Sequence, residues 1–415
     1  MKLKILIMFI TCISLFAKAI PIDKAIEMAI KQGEETNISR KNLNISEKEL
    51  SSAFKTALPN LFFAGGYLKS DGAFLENTPI QTAKSGYVNF IGISQPIFQG
   101  GAITAKIKKA KVEERKAALA LLKEIRDIRL EVISIYTGIL SAQNSLDAYR
   151  VSKEQLKEAL DYEREKEKIG KTTKADILKA EYQLLDMEAS ILDINNQIEI
   201  GLLTLKQKLN LSSSEEIVVE NFYIDENILK NIDYNRDLER ALADGIAANF
   251  AKLNIDEADI EKMLAKSELL PHVRGFIGKE YVTENHKTDN SWGGGIVVNW
   301  NIFQFGKDYD NYEAAHLTVE KTRTQEKLIH NNIRVNIKSA YLDMVKFTKL
   351  ERVYFKALEE AEENYKKDKI RFQKGMISIL DFLISQEVLT TSKVKYENIR
   401  LTLYNSLERY RSLLI

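Results

Sequence analysis

The chain has 415 residues, and its 60 Lys and Arg residues against 59 Asp and Glu residues give a net charge of +1. Because nucleic-acid binding depends on a clustered surplus of basic residues, this balance argues against a nucleic-acid partner. The single cysteine, Cys12, excludes a disulfide framework and a cysteine-based metal site. With 29% charged and 45% apolar residues, the composition suits long helices with polar faces better than a compact enzyme core.

Residues 1–19 have the pattern of a secretory signal peptide. Two lysines precede an uncharged apolar run over residues 5–17, and the small residues Ala17 and Ala19 follow as a cleavage site. The run is too short to span a bilayer comfortably, and a short membrane anchor is the alternative interpretation. The pattern therefore predicts an exported protein.

The chain is an internal duplication of a unit of about 200 residues. Landmarks of the first half recur in the second half, shifted by 212 residues at the Leu-Pro dipeptide and by 205 residues from the Ile-Phe-Gln segment onward, and chance does not place all of them in register. The paired landmarks are the Leu-Pro dipeptides at 58–59 and 270–271, the Ile-Phe-Gln segments at 97–99 and 302–304, Gly170 and Gly375, and Asp176 and Asp381.

Each repeat is predicted to contain the same elements in the same order. A helix ends at the Leu-Pro dipeptide, because proline disfavours helical geometry in the residue before it. A β-hairpin and a long helical hairpin follow the helix. The first repeat, 20–210, has its helix over 22–57, its β-hairpin over 60–98 and its helical hairpin over 102–209. The second repeat, 241–415, follows a linker over 211–240. The helical pattern of this repeat covers 238–269 and so begins within the linker. Its β-hairpin is predicted over 272–303 and its helical hairpin over 307–415.

The predicted β-hairpins alternate large apolar residues with small or polar ones. Tyr87, Ile91, Ile93 and Ile97 share one face of the first hairpin, and Gly92 and Ser94 lie on the other. A lipid-facing barrel strand has this period of two, and so has an ordinary soluble hairpin. The second hairpin has the same pattern at Ile296, Val298, Trp300 and Ile302.

Two stretches without proline, residues 102–168 and 307–373, are predicted to form single helices. Apolar residues spaced by seven between Ile128 and Leu156 indicate coiled-coil packing. Each helix would be roughly 100 Å long, at about 1.5 Å per residue. Glycines at 170 and 375 then let the chain turn back into a shorter helix. The helices alone would also fit a soluble coiled-coil rod.

Strands and long helices together favour a conduit built by several chains. Four strands cannot close a membrane barrel, which needs about eight, and lipid does not tolerate an open sheet edge. If the strands lie in a membrane, several copies of the chain must share one barrel. The helices are too long for a bilayer core of about 30 Å, so they would project into an aqueous compartment.

These features resemble the TolC family of outer-membrane efflux proteins, and the resemblance covers the chain from Ile22 to Leu414. Its marks include the duplication, the Leu-Pro helix ends and the Gln-Pro-Ile-Phe-Gln-Gly segment at 95–100. The family's turn motif, Gly-x-x-Thr/Ser-x-x-Asp-x-Leu, occurs twice in register. Its two copies are Gly170, Thr173, Asp176 and Leu178, and Gly375, Ser378, Asp381 and Leu383.

The resemblance implies a homotrimer in which an α-helical tunnel is continuous with a shared 12-stranded outer-membrane β-barrel, with residues 211–240 as an equatorial linker. The tunnel would project into the periplasm and dock to a membrane-fusion adaptor protein and an inner-membrane pump of the RND, ABC or MFS type. The chain would be a passive export duct for drugs, toxic compounds or proteins. A secreted coiled-coil structural or adhesive protein is the alternative. The sequence contains no metal-binding or nucleophile motif, so we expect no enzyme, cofactor or metal site.

The resemblance also implies roles for the two turns. Gly170, Thr173, Gly375 and Ser378 would form adaptor-docking turns at the periplasmic end. Asp176, Asp381 and Ile384 would line the aperture, with the aspartates as a carboxylate ring. The alternative for both aspartates is local capping of the helix that follows. The family's aromatic residue before the turn is present as Phe372, whereas Glu167 replaces it in the first repeat. The charged run 163–168 around Glu167 is expected to be a solvated face, with adaptor contact as the second interpretation.

Overall fold

The structure, a computed structural model, describes residues 18–69, 85–222, 232–284 and 286–415. It is mainly helical with a small β part, as the sequence predicts. The predicted signal peptide lies outside the described residues except for its last two positions. The elements in chain order are β1 (Lys18–Ile20), α1 (Ile22–Gln32), α2 (Glu34–Lys55), β2 (Asn60–Lys69), β3 (Ser85–Gln99), α3 (Ala102–Lys168), α4 (Lys174–Lys208), β4 (Ile217–Val219), α5 (Tyr234–Asp244), α6 (Ile246–Ser267), β5 (His272–Glu284), β6 (Lys287–Asn299), α7 (Lys307–Gln373) and α8 (Ile379–Ser412).

The long helices α3 and α7 are each 67 residues long and have the bounds expected from the sequence. Helix α3 is one unbroken helix although Gly138 lies inside it. In the described part of the chain, no helix is both long and apolar enough to cross a membrane.

The single helix predicted over 22–57 is wrong, because the chain breaks it at Gly33. The extended ψ of 139° at Gly33 ends α1, and its N–H donates to the carbonyl of Ala29. A Cβ at Gly33 would lie 2.3 Å from that same oxygen, so only glycine fits there. The matching glycine of the second repeat, Gly245, separates α5 from α6 in the same way. The second repeat's first helix also begins at Tyr234, earlier than predicted.

The described residues form two compact units, and each unit contains parts of both repeats. One unit consists of the described residues of Met1–Ile38, Lys123–Gly245 and Ile333–Ile415. The other consists of those of Ser39–Leu122 and Ile246–Asn332. Unit and repeat boundaries differ because α3 and α7 each contribute residues to both units.

The core of the first unit surrounds the fully buried Tyr136 of α3. Strand β1 pairs in parallel with β4, so part of the predicted linker 211–240 lies in this core. The Tyr136 hydroxyl donates to the carbonyl of Ile20 at 2.8 Å and accepts from the N–H of Glu220 at 2.7 Å. These two bonds tie the short strands to the long helix.

The second unit contains a helical contact and an antiparallel sheet. The first part of α3 packs on α6 through Ala105, Val112, Leu253 and Ile260. The sheet has the order β2-β3-β5-β6, so β3 of the first repeat pairs with β5 of the second. Each repeat therefore supplies two adjacent strands to one continuous sheet.

A cluster of charged residues crosses the contact between α3 and α6. Lys109 pairs with Glu261 and Lys116 pairs with Glu257. Glu113 lies between these pairs. Its burial raises its pKa above the usual value, and a hydrogen bond to Glu257 adds a smaller effect in the same direction. A carboxyl group with a raised pKa stabilises the folded state while it is protonated, and this stabilisation is lost as pH rises through the folded pKa. At neutral pH the charge on Glu113 therefore weakens the contact.

We expect Glu113→Gln to raise the free energy of unfolding of this unit at pH 7.5 by on the order of 0.5 kcal/mol. Glutamine can still donate to Glu257 but carries no charge to be desolvated. The gain should shrink toward pH 4, where the wild-type carboxyl is itself protonated. Amide hydrogen exchange of α6 measures the change. Glu47→Gln, at an exposed position of α2, removes the same charge and should leave α6 unaffected. A gain independent of pH would show that the Glu113 charge is not its cause.

Candidate functional site

The turn between α3 and α4 is closed by backbone hydrogen bonds around a glycine in the left-handed region. Gly170 has a φ of +73°, and its N–H donates to the carbonyl of Glu167 at 2.8 Å. The N–H of Lys171 donates to the carbonyl of Lys166 at 2.9 Å, which completes a Schellman motif. Gly375, with a φ of +69°, closes the turn between α7 and α8 through the same two bonds. Both turns lie in the first unit.

Each returning helix begins with a capping box. The Thr173 hydroxyl accepts from the Asp176 N–H at 3.2 Å, and the Asp176 carboxylate accepts from the Thr173 N–H at 3.3 Å. Ser378 and Asp381 make the same pair of bonds at the start of α8. The Thr173 hydroxyl also donates to the Asp176 carboxylate, and this bond lowers the pKa of Asp176. The two aspartates therefore cap the first turns of α4 and α8.

An aromatic and charged group of side chains lies beneath the turns, and we call it the turn cluster: Tyr162, Glu163, Lys166, Phe372 and Phe382. The rings of Phe372 and Phe382 stack at 4.7 Å, and Tyr162 meets Phe372 edge-on at 5.4 Å. The Lys166 ammonium lies 4.4 Å from the centre of the Tyr162 ring and 4.7 Å from that of Phe372. The turn cluster therefore joins the end of α3 to the end of α7 and the start of α8.

The charged run 163–168 is not the uniformly solvated face that the sequence suggests. Glu163 is buried and forms a 2.8 Å ion pair with Lys166. Glu165 and Lys168 point to solvent and pair with each other. The two halves of the run differ in burial because of helix geometry. Positions 162, 163 and 166 share one face of α3, and Tyr162 and Lys166 on this face contact Phe372 of α7. Glu167 stands where the family has an aromatic residue, and in its place Tyr162 of α3 makes the aromatic contact with Phe372.

The tips of the turns expose apolar side chains. Ile169, next to Gly170, is 66% exposed, and Met376, next to Gly375, is 69% exposed. Ile384, one turn into α8 after Asp381, is half exposed. The turns thus combine a rigid, capped backbone with apolar side chains that make little contact with the rest of the chain.

One face of the sheet in the second unit is apolar and exposed, and we call it the apolar face. Its residues alternate along all four strands, as the strand pairing requires. Strands β2 and β6 are the edges, each paired on one side among the described residues. The apolar face consists of Leu61, Phe63, Tyr67, Tyr87, Ile91, Ile93, Ile277, Trp292, Ile296 and Val298.

The predicted alternation through Trp300 and Ile302 is wrong beyond Val298. Strand β6 ends at Asn299, and Trp300 instead donates its indole N–H to the carbonyl of Leu269 at 3.2 Å. Ile97 lies at a bulge where the β3–β5 register shifts between Pro96 and Phe98. Within the described ranges, no group of His, Cys, Asp and Glu side chains is arranged to hold a metal ion.

Solved outer-membrane proteins share this fold. The CmeC channel of Campylobacter jejuni superposes with a TM-score of 0.81 at 16% identity, covering 95% of this chain and 85% of CmeC. VceC of Vibrio cholerae superposes with a TM-score of 0.77 at 13% identity, covering 94% of this chain and 95% of VceC. The chain therefore has the fold of these outer-membrane proteins.

The chain belongs to the outer membrane efflux protein family, whose model matches residues 39–211 and 240–414. The outer membrane protein TolC of Escherichia coli (strain K12) is 22% identical over 233 residues, which are 52% of this chain and 47% of TolC. The chain thus spans about half the length of the curated relatives that it matches. It is an outer-membrane protein of the TolC efflux family, as its duplication and turn motifs predict.

Proposed function

We propose that the chain is one subunit of a homotrimeric export duct of a tripartite efflux or type I secretion system. An inner-membrane pump of the RND, ABC or MFS type drives export through this passive duct, and a periplasmic membrane-fusion adaptor links the two. Drugs, toxic compounds or proteins are the exported classes. The exposed apolar face of an open sheet carries this proposal, and membership of the efflux family supports it.

The apolar face suits contact with lipid, and the free edges of β2 and β6 require partners there. Unpaired backbone groups are too costly in a bilayer core, so an open four-stranded sheet must be completed by other strands. Three copies supply twelve strands and leave no edge. A secreted coiled-coil structural or adhesive protein would not need an exposed apolar face of this size.

Two apolar stripes on the helices support a ring of identical copies. One stripe runs along α4, opposite the side that is buried against the rest of the chain. The other runs along α7 at Val335, Leu342 and Val353. Two different surfaces that bind each other make a head-to-tail interface, which forms a closed ring when the rotation between copies closes on itself. The α4 stripe consists of Leu178, Tyr182, Leu185, Leu192, Ile200 and Leu203.

In this proposal the helices form a tunnel that extends into the periplasm, and the turns lie at its end. Gly170, Thr173, Gly375 and Ser378 then shape the surface that the adaptor contacts. The exposed side chains of Ile169 and Met376 supply apolar contact area at that surface. Asp176, Asp381 and Ile384 line the aperture in addition to their local contacts. The signal peptide over 1–19 and the equatorial linker over 211–240 belong to the same proposal.

Mass and conductance of the detergent-purified protein test the proposal. We expect three chains per particle, by light scattering corrected for bound detergent, and small cation-selective channels in a planar bilayer. Asp381→Asn should lower the cation selectivity while Ser378 still caps α8, because asparagine removes the charge and keeps a side-chain acceptor. A particle that is water-soluble without detergent and passes no current would contradict the proposal that the chain forms an export duct.

A further inference from the structure

Three phenylalanines form a continuous aromatic surface on the sheet face opposite the apolar face. Phe62, Phe90 and Phe276 project from β2, β3 and β5, which are neighbouring strands. The ring centres of Phe62 and Phe90 are 5.5 Å apart with their planes inclined by 30°, and Phe276 meets Phe90 edge-on at 6.2 Å. We call these three residues the aromatic floor. All three side chains are only partly buried.

Two glycines lie beneath Phe90, the central ring of the aromatic floor. A Cβ at Gly92 would lie 2.4 Å from an edge carbon of the Phe90 ring, and a Cβ at Gly278 would lie 2.5 Å from its tip. The ring therefore rests on bare backbone of two strands. A side chain at either glycine would displace the ring. The other face of the ring is turned away from the strands.

Open space lies above the aromatic floor. A cavity of about 1110 Å³ borders this side of the sheet, and its walls include all three rings. Glycines at 66, 293 and 295 widen the cavity at its edges. The volume is enough for a drug-sized molecule, for which pockets range over about 300–1,000 Å³.

A carboxylate lies beside the rings. Glu280 is directly opposite Phe90 in the β3–β5 pairing, where facing Cβ atoms are about 5 Å apart. Glu280 has no ion-pair partner among the described residues, and it lines the same cavity. Arg274 lies on the same face six residues along β5, which is about 20 Å away. The rings nearest Glu280 therefore face a negative charge that this arginine does not neutralise.

We infer that the aromatic floor and Glu280 form a weak binding site for organic cations that carry an aromatic ring. The inference rests on the proposed duct, because the face opposite the lipid is then the wall of the water-filled channel. A cation over the face of a phenyl ring is attracted by its quadrupole, and a carboxylate alongside strengthens the attraction. A flat ring on the ligand adds stacking contact. Weak binding suits a channel wall, since conduction requires solutes to leave as well as enter.

Block of the channel current tests this site. The probes are benzyltriethylammonium and tetraethylammonium, which share a charge and differ mainly by one ring, each added to the reconstituted wild-type protein. We expect benzyltriethylammonium to half-block the current at about a five- to tenfold lower concentration than tetraethylammonium. Phe90→Leu keeps an apolar side chain over the glycines and should bring the ratio close to one. Glu280→Gln should raise the half-blocking concentration of both cations.

Two further variants make the result decisive. Phe63→Leu changes a ring of the apolar face and should leave the ratio as in the wild type. Phe62→Leu, at the edge of the aromatic floor, should lower the ratio even if Phe90→Leu fails to assemble. A conducting wild type that does not distinguish the two cations overturns this inference alone. A wild type that passes no current overturns the proposed function, and the channel-wall site with it.

Discussion

If the chain assembles as the proposed trimer, glutamate at both Leu185 and Leu192 should abolish assembly and leave monomers. Both leucines lie in the α4 stripe and are about two-thirds exposed in the single chain. Burying one leucine is worth about 1.5–3 kcal/mol, and a ring of three copies would bury both at every interface. A buried, unpaired carboxylate adds a further cost, so each substitution turns a favourable contact into an unfavourable one. The mass of the purified particle is the measurement.

The single chain should tolerate these substitutions, because neither leucine belongs to its buried core. Unchanged helical content by circular dichroism would distinguish lost assembly from lost folding. Gln197→Lys is the control, since it adds a charge to the exposed flank of the same helix beside the stripe, where it can pair with Asp193. A double variant that remains trimeric would remove α4 from the proposed interface.

Alanine at Phe372 should loosen both turns at once. Phe372 is 3% exposed, stacks on Phe382 and touches Tyr162 and the Lys166 ammonium. Replacing a buried phenylalanine by alanine costs about 3–5 kcal/mol. Because the lost contacts reach α3, α7 and α8, we expect faster amide hydrogen exchange and protease cleavage at both Gly170 and Gly375.

Phe355→Ala provides the comparison for this variant. Phe355 also lies on α7, and its ring centre is 5.6 Å from that of Tyr396. Unlike Phe372, it is 43% exposed. Its loss should leave the turns protected. Faster exchange at Gly375 alone would show that the turn cluster does not couple the two repeats.

Features that depend on local chemistry could be predicted from the sequence. Long stretches without proline set the bounds of α3 and α7, and glycine followed by Thr or Ser and Asp marked both turns and their caps. The strands were recognisable from their period of two. These signals are local because the responsible contacts join residues only a few positions apart.

Features that depend on contact between the repeats could not be predicted in this way. Glu163 and Lys166 resemble solvated residues in the sequence, because the Phe372 ring that Lys166 contacts lies about two hundred residues further along the chain. The aromatic floor likewise requires the β3–β5 register, which brings Phe90 beside Phe276. The break at Gly33 was missed for another reason, since a lone glycine is often tolerated within a helix.

The pair of Glu163 and Lys166 has a counterpart in the second repeat that lies in different surroundings. The duplication places Asp368 and Arg371 at the matching positions, and they too approach each other, at 3.5 Å. Yet the Arg371 side chain is 60% exposed, whereas the Lys166 ammonium lies over two aromatic rings. The same acidic and basic positions therefore form a packing element between helices in the first repeat and a surface ion pair in the second. Equivalent substitutions at Lys166 and Arg371 should for this reason differ in their cost to stability, because only the first removes contacts with aromatic rings.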